Sequence, residues 1–133
     1  MKNSQADIYF AKCVKARANY TCERCGIQSD FMDNSHNYTR KFRTIRWCGL
    51  NALCLCRRCH NWYENNKEDS RGWLRNKIGD GAFNLLIEKR NSNIKIYKSE
   101  EKEIAKHYRE ELKKIQEKRN QGEQGYIDFI SWQ

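Results

Sequence analysis

The sequence predicts an α+β fold: a small metal-stapled ββα core with flanking α-helices, mostly helical overall. Three observations carry the prediction. Two Cys-x-x-Cys pairs, Cys22/Cys25 and Cys56/Cys59, stand 30 residues apart. Two short strand candidates, residues 31–36 and 52–55, lie between the pairs, and a helical pattern starts at the second one. The rest of the chain is polar helical sequence, with 38% hydrophobic residues and a mean hydropathy of −1.05. So polar a chain buries a small core, and a metal staple then matters.

A length of 133 residues suits one domain. It reads as an N-terminal helix (residues 1–19), a metal-bound core (20–66), helical packing elements (67–97), and a long amphipathic helix with an aromatic tail (98–133).

In the first part, residues 4–17 carry Ser4 as a cap and Asp7 three positions on, the pattern of a capping box. Phe10, Cys13, Val14 and Arg17 follow at helical spacing, which makes Cys13 a small core residue. Gly26 directly behind Cys25 suits the tight turn of a metal knuckle. Strand one ends on His36. A polar, basic loop over 37–49 follows, with Phe42 and Trp47 as anchors, and strand two occupies 52–55. A helix from about Cys56 to Asn65 carries Cys59, His60 and Glu64.

Asp69 or Ser70 is expected to cap a helix holding Trp73, Leu74 and Ile78 and ended by Gly79. Asp80 is expected to cap the next, with Phe83, Leu86 and Ile87. Ser99 opens the longest helix, with acids at its start and Lys113, Lys114, Lys118 and Arg119 toward its end, as the helix dipole favours. Its stripe of Ile104, Tyr108, Leu112 and Ile115 is narrow enough to dock on a core or pair with a partner helix.

The net charge is +9 and the pI about 9.3, which points to an anionic partner such as nucleic acid. The excess is concentrated. Residues 34–63 hold Arg40, Lys41, Arg43, Arg46, Arg57 and Arg58 and no acid. No apolar run approaches a membrane span, no signal-peptide pattern is present, and the cysteine count of 7 is odd. Cysteine pairs of this spacing then read as metal ligands in a reducing cytoplasm.

Four thiolates on two knuckles make a closed tetrahedral shell for structural Zn2+. Cys22, Cys25, Cys56 and Cys59 are the assigned ligands, with Cys54 as an alternative to Cys56.

Cys22-x-x-Cys25-Gly26, then His36, Asn51 and Cys56-x-x-Cys59-His60, resembles in this order the HNH, or ββα-metal, endonuclease motif over residues 20–66. The wider layout is similar to phage recombination endonucleases of the Rap/NinG type, which act on branched DNA. Asp33-Asn34-Ser35-His36 matches their Asp-x-x-His, and Arg46-Trp47 an arginine–aromatic step.

The resemblance implies a metal-dependent DNA endonuclease, structure-selective for branched, Holliday-junction or duplex DNA. His36 is implied as general base, Asn51 as the residue that holds the loop and orients His36 through its amide, and His60 as a ligand of catalytic Mg2+ or Mn2+. One position departs from the pattern. Many such enzymes place an acid directly before the base, and here that residue is Ser35. Asp33, on the same strand face as Ser35, is the favoured replacement, and Glu64, one helical turn after His60, is the other candidate.

The basic residues at 40, 41, 43, 46, 57 and 58 are expected to hold backbone phosphates without reading sequence. Resolving a symmetric junction needs two active sites, so the stripe from Ser99 and the aromatic tail are the candidate homodimer contact. Alternatives are a non-catalytic zinc DNA-binding module, a sequence-specific homing or restriction-type nuclease, and an adaptor acting through its C-terminal helix.

Overall fold

A computed structural model of the chain describes residues 2–132. The order is α1 (Gln5–Arg17), β1 (Met32–His36), β2 (Ala52–Cys56), α2 (Arg57–Asn65), α3 (Lys67–Ile78), α4 (Asp80–Arg90) and α5 (Glu101–Asn120). One-turn 3-10 helices precede β2 and α5, at Gly49–Asn51 and Lys98–Glu100. The fold is α+β and mostly helical, as expected.

The capping box forms. Ser4 Oγ accepts the Asp7 N–H at 3.2 Å, and the Asp7 carboxylate accepts the Ser4 N–H at 2.9 Å. The strands pair antiparallel with Met32 opposite Cys56 and His36 opposite Ala52. This register sets the end of β1, where His36 lies, beside the start of β2, and the start of β1 beside the second knuckle.

Two helix starts differ from expectation. α3 begins at Lys67, with Asn66 serving both as the end of α2 and as the entry to α3. Ser70 is no cap: its hydroxyl donates back to the carbonyls of Tyr63 at 3.0 Å and Lys67 at 3.2 Å, binding α3 to α2. Asp80 sits in the first turn of α4, behind Gly79, whose φ of +87° turns the chain between α3 and α4.

The core runs through all four sequence segments. α1 packs along α5, and the Cys13 thiol donates to the Tyr108 carbonyl at 3.1 Å. Burial holds the Cys13 thiol protonated, with its pKa pushed up to about 12. Phe10, Tyr108 and Phe129 meet edge to face at 5.0–6.1 Å between centroids, contacts worth about 1 kcal/mol each beyond burial. The α5 stripe is therefore consumed inside the chain, with Ile104, Tyr108 and Ile115 all buried.

The aromatic tail is committed in the same way. Ile127 N–H donates to the Arg17 carbonyl, Gly49 N–H to Ser131 Oγ, and Trp132 N–H to Tyr108 Oη. The surface expected to meet a partner helix thus also covers the chain's own core.

A second cluster ties α1 to the loop after β1. Asp7 is 7% exposed and receives Arg46 Nε at 3.0 Å, Arg46 Nη2 at 2.6 Å and the Trp47 indole N–H at 3.1 Å. Burial alone would raise the Asp7 pKa, but the Arg46 guanidinium and the Ser4 amide outweigh it and hold it below 3.8. A carboxylate favoured in the folded state stabilises fully above its ordinary pKa, and the contribution is lost as pH falls through the lowered value. Asp7→Asn leaves Arg46 buried without its counter-charge and is expected to cost about 3 kcal/mol or more in urea unfolding. Its stability should also fall less steeply than that of the wild type as pH drops below about 4. Equal urea midpoints for the two proteins at pH 7 would refute the role given to Asp7.

Candidate functional site

The four predicted thiols converge. Their sulfurs lie within 4.8 Å of one another, with Cys25 and Cys56 at 3.8 Å. Four sulfurs at the Zn–S distance of about 2.3 Å from a tetrahedral centre are themselves about 3.8 Å apart, so the donor set fits zinc. Gly26, at φ +81°, permits the knuckle turn in which its N–H reaches the Cys22 carbonyl at 2.9 Å.

The thiols differ in acidity. Burial works against ionising Cys22, yet N–H groups of Cys25, Cys56 and Arg24 bring its pKa down to about 6. Burial, followed by the neighbouring thiols, pushes Cys59 up to about 12, although Arg24 Nη1 donates to its sulfur at 3.5 Å. A dication at the centre removes that conflict by binding all four as thiolates. The Arg24 guanidinium, stacked 3.8 Å over Trp62, then offsets part of the remaining negative charge. Cys54 is buried outside the cluster with its pKa raised to about 12, which leaves Cys56 as the ligand.

Glu23, not singled out in the sequence, binds the first knuckle to β2. Its carboxylate accepts the Cys54 N–H at 2.7 Å, and its own N–H donates to the Cys54 carbonyl at 2.8 Å.

Beside this staple, a cleft of about 800 Å³ opens between α1, the end of β1, the following loop, α2 and α3. His36, His60 and Glu64 all line it. His36 Nε2–H donates to the Arg46 carbonyl at 3.1 Å, which leaves Nδ1 with its lone pair. Burial lowers the His36 pKa below 6.5, and Arg40 acts in the same direction.

Asn51 is fully buried. Its carbonyl oxygen accepts the Tyr38 N–H at 2.9 Å and its amide donates to the Tyr38 carbonyl at 3.0 Å. It holds the loop two residues beyond His36, as expected, whereas the imidazole itself is held by residue 46.

The two candidate carboxylates take different places. Asp33 accepts His60 Nδ1–H at 2.9 Å and also pairs with Arg57 at 3.2 Å. With Nδ1 bearing the proton, His60 Nε2 presents a lone pair 3.6 Å from Glu64 Oε1. Two electron-rich atoms facing each other at a cleft fit a divalent cation, whose adjacent oxygen or nitrogen ligands lie about 3 Å apart. Asp33 then stands behind the histidine and Glu64 beside it. Ser35 is fully buried, with its hydroxyl unpartnered within the protein. Apart from the four cysteines, no trio of His, Cys, Asp or Glu donors is as tightly gathered among the described residues.

The basic residues also separate. Arg46 is buried on Asp7 and does not reach a phosphate, a correction to its expected role. Arg43 donates to the Ile96 carbonyl and the Glu101 carboxylate, which ties the loop to α5. Lys41, Arg57 and Arg58 are exposed, and Arg40 lines the cleft within 3.5 Å of Asp7.

Sequence reading missed Lys12 and Lys15 of α1 and Lys67 and Arg71 of α3, which line the cleft from two helices. It also missed the buried Asn37, which receives the Tyr63 hydroxyl at 2.6 Å and donates to the Leu50 carbonyl at 2.8 Å. Among the described residues, no helix is long and apolar enough to cross a membrane.

Comparison with protein-family models, curated proteins and solved structures finds no match. The site's chemistry therefore rests on its own geometry.

The chain is expected to bind one zinc per molecule, measured by elemental analysis, with a thiolate charge-transfer band after cobalt substitution. Cys59→Ala should abolish the band and unfold the chain, since a structural zinc supplies on the order of 10 kcal/mol of folding energy. Cys13→Ala should keep the full band. Loss of the band in both variants alike would count against the assignment.

Proposed function

We propose that the chain is a metal-dependent endonuclease of the HNH type, hydrolysing phosphodiester bonds in DNA. The observation that carries this reading is one cleft lined by an imidazole with a free, uncharged Nδ1 and by a His60–Glu64 pair suited to a cation. A plain zinc-binding module requires neither.

His36 Nδ1 takes the proton of the attacking water as its oxygen bonds to phosphorus, and the bridging ester oxygen leaves. The Arg46 carbonyl holds the ring for this, and favours the imidazolium that forms by accepting its Nε2–H. His60 Nε2 and Glu64 hold a magnesium or manganese ion, with Asp33 fixing the His60 tautomer. When bound, that ion supplies Lewis-acid withdrawal of charge from the phosphate and the leaving oxygen. Asn51 keeps the loop after His36 closed, so that the base does not drift from the cleft floor.

His36→Ala is expected to lower magnesium-dependent nicking of supercoiled plasmid about 10²- to 10⁴-fold with the fold intact by circular dichroism. The base acts unprotonated and burial depresses its pKa, so the acidic limb of the wild-type rate profile should lie below pH 6.5. DNA binding without cleavage in any divalent metal would instead assign a non-catalytic zinc module.

The carboxylates separate by metal titration. Glu64→Ala should remove saturable activation by magnesium. Asp33→Asn should weaken the metal about 10- to 100-fold without abolishing the maximal rate. The reverse pattern would assign the ligand to Asp33.

A further inference from the structure

Tyr38 and Phe42 stand in the lining of the same cleft, and they end a column of alternating rings and guanidinium groups. Arg71 lies 5.8 Å from the Tyr63 ring centre and 4.3 Å from that of Tyr38. Arg90 lies 4.7 Å from Tyr38 and 5.6 Å from Phe42. The column therefore runs from Tyr63, fully buried, to Phe42, which is 41% exposed.

Its members are fixed from behind. Asn51 clamps the Tyr38 backbone, Asn37 accepts the Tyr63 hydroxyl, and Thr44 Oγ1 donates to the Arg90 carbonyl at 3.2 Å. Sequence reading paired Phe42 with Trp47 as loop anchors. Trp47, 2% exposed, is one; Phe42 is partly exposed in the cleft lining, with Arg90 over one face of its ring and the opposite face carrying no aromatic ring among the described residues.

The cleft's cations complete a pattern. Lys12 and Lys15 contribute from α1. Of the acids nearby, Asp7 is matched by Arg46, and Glu64 has one oxygen on Lys67 at 3.0 Å and the other facing His60 at 3.6 Å. An open aromatic ring beside phosphate-directed cations is how proteins hold single-stranded nucleic acid, because every base has a face to stack. A site of about 800 Å³ is also of the size that encloses one small ligand, roughly 300–1,000 Å³. That is room for a nucleotide or two of one strand.

We infer that Phe42 is a stacking platform for an unpaired base of the strand entering the cleft, with Lys12 and Lys15 on its phosphates. This rests on the nuclease reading and names its substrate class: DNA with an unpaired nucleotide beside the scissile bond, as at a branch point or gap. An intact duplex keeps its base faces covered and gains nothing from Phe42.

The test compares wild type, Phe42→Ala, Phe42→Leu and Phe42→Trp on one fluorescent oligonucleotide, single-stranded and as a duplex, by anisotropy at fixed salt. Loss of one stacked base corresponds to about 5- to 150-fold in affinity. Phe42→Ala and Phe42→Leu should lose that much on the single strand and less than about 2-fold on the duplex, and Phe42→Trp should bind like wild type. 2-Aminopurine beside the cut site should be quenched by wild type and Phe42→Trp alone. Phe42→Leu retains apolar bulk, so it reports on stacking should Phe42→Ala melt early.

Unchanged single-strand affinity in both variants overturns the platform, as does equal loss on both DNA forms. Wild type that still nicks plasmid in either case leaves the nuclease reading standing. Wild type that binds no DNA overturns both.

Discussion

The carboxylate of Asp7 is the contact on which the working end of this molecule depends. It closes the first turn of α1 by accepting from Ser4, and from the same two oxygens it receives the Arg46 fork and the Trp47 indole. Those are consecutive residues of the loop after β1, and their carbonyls are used as well. The Arg46 carbonyl holds His36, and the Trp47 carbonyl receives the Tyr108 hydroxyl from α5. One buried anion thus fixes the loop between α1 and α5 and points a backbone acceptor at the candidate base. Buried ion pairs often add little net stability compared with an apolar replacement, because both charges lose water. Here the pairing sets position: a guanidinium met on two edges by a carboxylate has few other orientations available.

The four-cysteine cluster and the cleft are separate places in the fold. All four positions of the sulfur tetrahedron are filled by the protein, so no coordination site is left for a reacting group. The staple instead locks the start of β1 to the start of α2, and Glu23 locks the first knuckle to β2. α2 begins at the second knuckle, so Cys59, the last zinc ligand, is followed directly by His60. Loss of the tetrahedron would release the helix that carries His60 and Glu64. A metal held there would support the cleft structurally, with no open position through which to enter its chemistry.

Much of this was legible in the sequence, because it depends on spacing within short segments. The two knuckles, the Ser4–Asp7 capping box, the hairpin and the order of helices are all local patterns. What was not legible depends on partners far apart in the chain. Asp7 meets Arg46 across 39 residues, and Arg71 reaches the Asn37 carbonyl across 34. The aromatic beside Arg46 sets it apart from Arg40 in sequence but does not show that it is buried on Asp7. The amphipathic stripe on α5 was ambiguous for the same reason, since a narrow apolar face is equally suited to a neighbour within the chain and to a second copy. The packing on α1 and the tail folding back over Tyr108 and Arg17 show the neighbour within the chain. The choice between Asp33 and Glu64 needed coordinates too, because it turns on which nitrogen of His60 each carboxylate faces.

Charge gives the sharpest case of the difference between a sequence window and a place in space. The acid-free block over residues 34–63 is the most basic part of the chain, yet much of it is answered by acids from outside the block. Arg46 meets Asp7, Arg43 meets Glu101 and Arg57 meets Asp33. The cleft instead gathers Lys12, Lys15, Lys67 and Arg71, drawn from helices whose own sequences also carry acids. A block of like charge cannot pack against itself, so in a small fold its members must find counter-charges on other elements. The basic loop is therefore as much an interior connector as a surface for an anion. The charges acting on His36 show both sides of this: Arg40 and Arg46 come from the basic block, and Asp7 answers them from α1.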